Sequence, residues 1–456
     1  MTRYDGIHFH TLTQAHIYLR EELVGQLSKR NSNEYVFTYF SEYAAKKNAI
    51  SISKSLPVTT HEYVSKELHP FFDNLILEGW LLHQAEKQLH IDAKSRFAML
   101  LAVGRNTIGA VSIVPLDHSG AEITPTIDDK SDDDKSDESV AKYNLSTPFS
   151  RYCCSCLMPS KNGDLHAKCL KLLWGTTRQL SIYLDPINPL QSFSRTIHGG
   201  SISGAQRKGL FRFDSRQGHL MPTATGSTHI LKPEGDFPEL PANEHVTMAI
   251  AHRLKFDTPP LALARVENLG LIYIIKRFDS TAAGKLLKED AAQLLRVPSE
   301  EKYTLSNEQV AKVIETYTTK LDLNEFFRRL IFCFCTGNGD MHLKNWAILE
   351  YPKMNGSMHL SPCYDFLNTR LPLSQEQTDI GLPLLGKSRK LQGSYFRKFA
   401  LTTLKLPPQF IDSVFAELPL WQTVIEEMIP RSALQPKSQE RYLEIVTARL
   451  NDLLKQ

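Results

Sequence analysis

The hydrophobic pattern changes character along the chain. Near the start it is strand-like: Ala15-His16-Ile17-Tyr18-Leu19 and Tyr35-Val36-Phe37-Thr38-Tyr39 are rich in β-branched and aromatic residues. Between them Glu21-Glu22-Leu23-Val24-Gly25 carries a turn and a third short strand. A helical stretch starts at Phe71–Gly79 and continues through Phe97–Val103, and Gly109–Val114 closes this part as a strand. Residues 15–114 are therefore expected to form a small α+β unit. Further on, Leu210–Phe213 and Thr228–Pro233 read as strands around a turn. Pro241–His245 opens an amphipathic helix, with Val246, Ala249, Ile250 and Leu254 at helical spacing. Leu271–Asp279 is an apolar strand ending in a polar step. From Ala291 the helical period takes over, in Asn307–Tyr317, Leu321–Phe334, Pro408–Leu418 and Ser438–Leu454. No apolar run is long enough to predict a membrane-spanning helix.

Composition changes this picture in two places. The stretch Asp128–Glu138 holds seven acids, two lysines and no apolar side chain, so it cannot offset the entropy of ordering and reads as a self-repelling tether. The expected division is 1–116, an acidic disordered linker over 117–147, a mixed segment over 148–276 and a mainly helical segment over 277–456. The remaining charge is unexceptional: a net +3 gives no global basic field for nucleic acid. Seven cysteines, an odd number, behind an N-terminus without a secretory h-region predict reduced thiols and a cytoplasmic setting. Four residues, Cys153, Cys156, His166 and Cys169, form a C-x2-C-x9-H-x2-C pattern whose ligand types suit tetrahedral Zn²⁺. A small reduced-thiol core beside Leu170, Leu172, Leu173 and Trp174 is the favoured alternative.

The stretch most suggestive of chemistry is Thr336-Gly337-Asn338-Gly339-Asp340-Met341-His342-Leu343-Lys344-Asn345, framed by apolar Leu330–Cys335 and Trp346–Leu349. An Asp and an Asn five apart in a glycine-bearing turn have the layout of a phosphoryl-transfer loop. Asp340 would orient the attacking hydroxyl, and the Asn345 amide oxygen would hold Mg²⁺. Asp365, in Tyr364-Asp365-Phe366, supplies a second metal carboxylate. Upstream, Gly199–Lys208 offers small residues, among them Ser201, Ser203 and Gly204, whose backbone N–H groups can approach phosphates, with Lys208 adding charge. A plain hairpin turn explains that stretch equally well. Lys232, at a strand end before proline, stands where kinases carry a phosphate-binding lysine. Glu244 either pairs with it or serves as a helix-start carboxylate. The polar end of the Leu271–Asp279 strand is the natural position for a hinge whose backbone groups hydrogen-bond adenine, with Phe278 read as a packing residue.

Taken in order, Ser201-Ile202-Ser203-Gly204-Ala205-Gln206-x-Lys208, His229–Pro233, Asn243-Glu244, Lys276–Asp279, Gly337-Asn338-x-Asp340-x-His342-x-Lys344-Asn345 and Tyr364-Asp365 resemble the HipA-type Ser/Thr kinases of bacterial toxin–antitoxin modules. Tyr18–Gly25 and Pro70–Gly79 resemble the small N-terminal domain of that family, and Cys153–Gly175 resembles the start of its shorter toxins, as if the two were fused. The resemblance implies a bilobal, protein-kinase-like α+β fold with a helical C-lobe. It implies Asp340 as the catalytic aspartate, Asn345 and Asp365 as Mg²⁺ ligands, and Lys232 on the ATP phosphates. It places the Lys276 and Phe278 backbones on adenine and autophosphorylation at Ser201 and Ser203. His342 stands where ordinary protein kinases carry Lys and is grouped with the nucleotide-binding set; Leu367 replaces the Gly of D-F-G. The implied partners are an aminoacyl-tRNA synthetase as substrate and a DNA-binding antitoxin, with DNA reached only through it and no membrane. Two other readings are a non-catalytic kinase-fold corepressor subunit and a small-molecule phosphotransferase.

Overall fold

Alternation in the N-terminal segment produces a five-stranded antiparallel sheet built from β1 (Gln14–Leu19), β2 (Glu22–Asn31), β3 (Glu34–Tyr39), β4 (Tyr63–Ser65) and β5 (Val111–Pro115), in the order β4-β3-β2-β1-β5. The computed structural model describes residues 2–3, 6–31, 34–123, 126–127, 140–176, 180–194, 197, 200–201, 206–351, 356–373 and 378–455. The strand after the Arg20 turn is longer than expected, running ten residues. Gly25 permits this, because a Cβ there would lie 2.3 Å from the Thr38 carbonyl oxygen on the neighbouring strand. The helical stretch expected from Phe71 is interrupted. One turn at Pro70–Asp73 precedes α1 (Gly79–Leu89), and Leu75, Ile76 and Leu77 are buried in irregular backbone between them. The break is held by Asn74, whose Nδ2 donates to the Pro70 and Val297 carbonyls at 2.8 Å each. In α2 (Arg96–Val103), Arg96 donates through Nε to Asp73 at 2.6 Å.

The described parts of 117–147 are not a bare tether, which corrects the linker expectation there. Asp117 accepts backbone N–H bonds from Ser119 and Ala121, and Glu122 accepts from the Tyr18 hydroxyl at 2.6 Å. Strand β6 (Ala141–Asn144) pairs with β7 (Ser181–Leu184), and the ladder continues through β9 (His219–Pro222), β8 (Gly209–Asp214) and β10 (His229–Pro233). β9 intervenes between the two strands expected around one turn. The acid run 128–138 lies outside the described residues.

The chain divides into two compact units drawn from interleaved stretches, whereas the sequence divides by pattern into consecutive ones. Met1–Asn144, Arg178–Lys232 and Asp279–Glu300 form the first; Leu145–Thr177, Pro233–Phe278 and Glu301–Gln456 form the second. Residues 279–300 join the first because their polar side chains bond there. Glu289 accepts from the Ser53 hydroxyl and the Lys54 N–H, and Gln293 donates to the Phe71 carbonyl at 3.1 Å.

The second unit contains α3 (Ala167–Trp174), α4 (Leu240–Arg253), the hairpin of β11 (Leu261–Val266) and β12 (Gly270–Lys276), then α5 (Asn307–Tyr317) and α6 (Lys320–Cys335). The hairpin of β13 (Ala347–Tyr351) and β14 (Ser357–Leu360) follows, then α7 (Gly393–Thr402), α8 (Pro408–Ala416), α9 (Leu418–Met428) and α10 (Pro436–Leu454). The expected amphipathic helix, α4, is instead buried on all sides, Asn243, Glu244 and His245 included. Thr319 and Asp322 cap α6 reciprocally, and Asp322 also accepts the Leu360 N–H at 2.9 Å, tying the β13–β14 hairpin to the helix start. Near its other end Phe332 packs against Phe256, Phe366 and Trp421. No helix among the described residues is long and apolar enough to cross a membrane.

Candidate active site

Helix α6 delivers the chain into the loop at Thr336, whose hydroxyl donates back to the Phe332 carbonyl at 2.9 Å. Gly337 then turns the backbone at φ +69°. The next residue, Asn338, uses both halves of its carboxamide. Its Oδ1 accepts the Asp340 N–H at 3.1 Å, and its Nδ2 donates to the Asp365 carbonyl at 3.4 Å. One buried side chain thus joins the two residues that carry the candidate carboxylates. Further bonds reinforce the junction: the Gly339 N–H donates to the Thr369 hydroxyl at 2.9 Å, and the Thr369 N–H to the Gly337 carbonyl at 3.2 Å.

Asn345 is oriented by the same loop. Its Nδ2 donates to the Asp340 carbonyl at 2.8 Å, so Oδ1 is the atom left to face a cation. Asp365 itself is left-handed, at φ +55°, and Phe366 behind it is buried against Phe332. By type, the Asp365 carboxylate and the Asn345 carboxamide offer oxygen atoms, the hard ligands that Mg²⁺ prefers. Helix α4 is stapled to this region by a reciprocal pair: Asn243 Nδ2 donates to the Asn368 carbonyl at 2.8 Å, and the Asn368 N–H to Asn243 Oδ1 at 2.9 Å. Glu244, fully buried next to it, and Asp365 both act on Tyr273. Burial pushes the phenol well above its ordinary value, and these two negative charges push it further.

Residues 15–114 match the family model of the HipA N-terminal domain, and residues 200–423 match that of the HipA-like C-terminal domain. The chain belongs to the HipA-type kinase family. It is 27% identical over 389 residues to Y4dM of Sinorhizobium fredii, a protein with a provisional kinase name, covering 80% of each chain. It is 32% identical over 205 residues to another provisionally named kinase, from Haemophilus influenzae, covering 41% of this chain and 59% of that one. The HipA of Shewanella oneidensis MR-1, solved as a complex with HipB and its operator DNA, has a TM-score of 0.67, 18% identity and 96% coverage of each chain. At that identity the likeness is one of fold: a HipA-type α+β kinase fold.

The expected site residues of this HipA-family chain fall into both units. Asp340, His342, Asn345, Asp365 and Glu244 belong to the second, as do Lys276 and Phe278. The Lys276 N–H already donates to the Pro260 carbonyl at 2.9 Å, its Nζ donates to the Leu172 carbonyl at 3.0 Å, and burial lowers its pKa. The Phe278 ring lies 5.7 Å from that of Tyr364, whose hydroxyl donates to the Lys344 carbonyl. Lys208, Lys232 and Ser201 belong to the first unit, all buried. Ser201 donates through its hydroxyl to the Leu75 carbonyl, and its N–H donates to Asn106. Ser203 and Gly204 lie outside the described residues. Cys153, Cys156, His166 and Cys169 converge, their ligand atoms all within 4.8 Å of one another.

Some participants had no sequence signal. Tyr303 donates its hydroxyl to Asp340 Oδ1, and its ring meets His342 edge-on at 5.0 Å. Asn368 and Thr369, just after Asp365, belong to no motif, and only their partners, Asn243 for the first and Gly337 and Gly339 for the second, bring them to the site.

Proposed function

We propose that this chain is a Mg-ATP-dependent protein serine/threonine kinase acting as the toxin of a toxin–antitoxin module. The observation that carries the reading is Asn338, which holds the Asp340 N–H and the Asp365 carbonyl at once. Two carboxylates and a carboxamide carried on one hydrogen-bonded loop and the segment tied to it are what phosphoryl transfer requires of a protein, since catalysis there is mostly positioning and charge stabilisation. Asp340 orients the acceptor hydroxyl and accepts its proton as the bond to phosphorus forms. Tyr303 steadies the same carboxylate. Asn345 and Asp365 would hold Mg²⁺, which when bound neutralises charge on the phosphate oxygens. Lys232 is assigned to the phosphates, and the carbonyl of Lys276 with the backbone of Phe278 to adenine. The assigned substrate is an aminoacyl-tRNA synthetase. The assigned partner is a DNA-binding antitoxin, a reading supported by the S. oneidensis HipA, which was solved with HipB and operator DNA. Ser201 is assigned as an autophosphorylation site together with Ser203; to react, Ser201 must first release the Leu75 carbonyl.

The test is incubation of the purified chain with Mg-ATP and a cell lysate, followed by mass spectrometry. Phosphate is expected on the loop serines and on one synthetase, and Asp340→Ala should slow transfer by about 10²- to 10⁴-fold while ATP binding persists. Undiminished phosphorylation by the Asp340→Ala chain would overturn the assignment.

A further inference from the structure

The cysteine cluster lies in the second unit, in the stretch from Leu145 to Thr177, and takes no part in the loop chemistry. A reduced-thiol core would bury its sulfurs among apolar side chains and let the imidazole point elsewhere. Here only Cys153 of the four is fully buried, and the imidazole points at the sulfurs. Of Cys153, Cys156, His166 and Cys169, the last three are only partly buried, yet all four turn their ligand atoms toward one point. His166 Nδ1 stands 3.4 Å from Cys156 Sγ. With Zn–S near 2.3 Å and Zn–N near 2.0–2.1 Å, a tetrahedral ion sets that edge at about 3.6 Å. The opposite ring nitrogen, Nε2, lies 3.0 Å from the Pro159 carbonyl, so it donates there and leaves Nδ1 as the lone-pair nitrogen. A metal-bound histidine needs that tautomer and that outer hydrogen bond.

The backbone is also shaped for the purpose. The Cys153 N–H donates to the Met158 carbonyl and the Leu157 N–H to the Cys153 carbonyl, each at 2.9 Å, closing the tight turn that carries Cys153 and Cys156. That turn requires Leu157 at φ +57°, and Gly163 at φ +75° bends the chain back toward His166. A Cβ on Gly163 would lie 2.0 Å from the Phe149 carbonyl oxygen. Cys169 then comes from the first turn of α3.

We propose that Cys153, Cys156, His166 and Cys169 form a closed Cys₃His zinc site that holds the Cys153–Met158 turn, His166 and the start of α3 together within the second unit. All four positions are taken by protein ligands, so the ion is structural and has no open position for a reactant. Binding deprotonates the three thiols and leaves the imidazole neutral. The knuckle is anchored on both flanks: the Leu263 N–H of β11 donates to the Cys154 carbonyl at 2.8 Å, and the Arg431 guanidinium lies over the Tyr152 ring. Through α3 it also reaches the Leu172 carbonyl that accepts from Lys276. Loss of the ion therefore loosens the strand end to which adenine is assigned; that consequence, unlike the site itself, rests on the kinase reading.

The test is metal analysis of the purified full chain, with cobalt substitution as a second readout. About one zinc per chain is expected, and cobalt should give the visible d–d bands and thiolate charge-transfer absorption of a tetrahedral sulfur-rich site. His166→Cys should retain a stoichiometric ion, because four thiolates also close a zinc tetrahedron. Cys154→Ala should do the same, because that thiol is outside the set. Cys153→Ser with Cys156→Ser should lose the ion. Should that double variant fail to fold, the wild-type chain decides: zinc must slow modification of its three ligand thiols. Zinc far below one per chain after refolding with excess metal, no tetrahedral cobalt spectrum, a Cys153–Cys156 disulfide in the reduced preparation, or iron in place of zinc would each overturn it.

Discussion

Each half of the Asn338 carboxamide is committed, so the residue cannot be exchanged for an isostere without cost. Aspartate would face the Asp365 carbonyl with an acceptor where a donor is needed. Tyr303 offers a subtler test. Its hydroxyl donates to Asp340 Oδ1, which favours the ionised carboxylate. Tyr303→Phe removes that donor and frees the carboxylate to rotate. In transfer assays kcat is expected to fall by about 2- to 10-fold, with KM for ATP unchanged. An unchanged kcat would separate Tyr303 from the chemistry. The loop residues Asp340 and Asn345 were legible because their relation is local: five positions in one turn. Tyr303 was not, because no periodicity or spacing joins it to the loop.

The elements around the site are joined at positions where glycine or a cap is required. Gly337 ends α6 in the left-handed region, and a Cβ there would stand 3.0 Å from Ile445 Cγ2 and 3.1 Å from Asn368 Oδ1. Gly337→Ala is expected to cost about 1–2 kcal/mol of backbone strain, plus displacement of Asn368. Thermal denaturation should show a lowered Tm and transfer assays a slower rate. Gly386→Ala is the control, since Gly386 also has positive φ but nothing within 4 Å of its Cβ. It should lose stability and keep its rate. Equal loss of rate in both would separate the Gly337 contacts from function. Helices α5 and α6 match their sequence patterns closely, because each combines an apolar period with a capping box. Helix α4 departs from its pattern. Its polar residues face partners, Asn368 and Tyr442, that lie far away in sequence.

At the scale of the whole molecule, the interleaving of units depends on buried polar contacts such as Glu289 with Ser53 and Lys54. Burial raises the Glu289 carboxyl from 4.5 to about 7. A folded-state pKa above the unfolded one means the native chain binds the proton more tightly. The resulting stabilisation is complete below pH about 4.5 and is lost as pH rises through about 7. Over that window it is expected to amount to about 3 kcal/mol. Denaturant titrations at pH 5 and pH 8 should show this component in the wild type and not in Glu289→Gln. A pH dependence of equal size in both proteins would refute it.

The sequence by itself determined what is short-range: the strand and helix periods, the Asp340–Asn345 turn with Asp365 downstream, and the spacing of Cys153, Cys156, His166 and Cys169. Each is a relation among residues close along the chain, where backbone geometry turns spacing into position. Tertiary structure alone decided that residues 279–300 serve the first unit, that α4 is buried all round, and that Asn338, Asn243 and Asn368 brace the loop. Those outcomes depend on hydrogen bonds between groups far apart along the chain, 236 positions for Ser53 with Glu289 and 125 for the Asn243–Asn368 pair. An asparagine at such a position has the same local pattern as one on the surface, and only burial with a geometrically matched partner makes it part of a site.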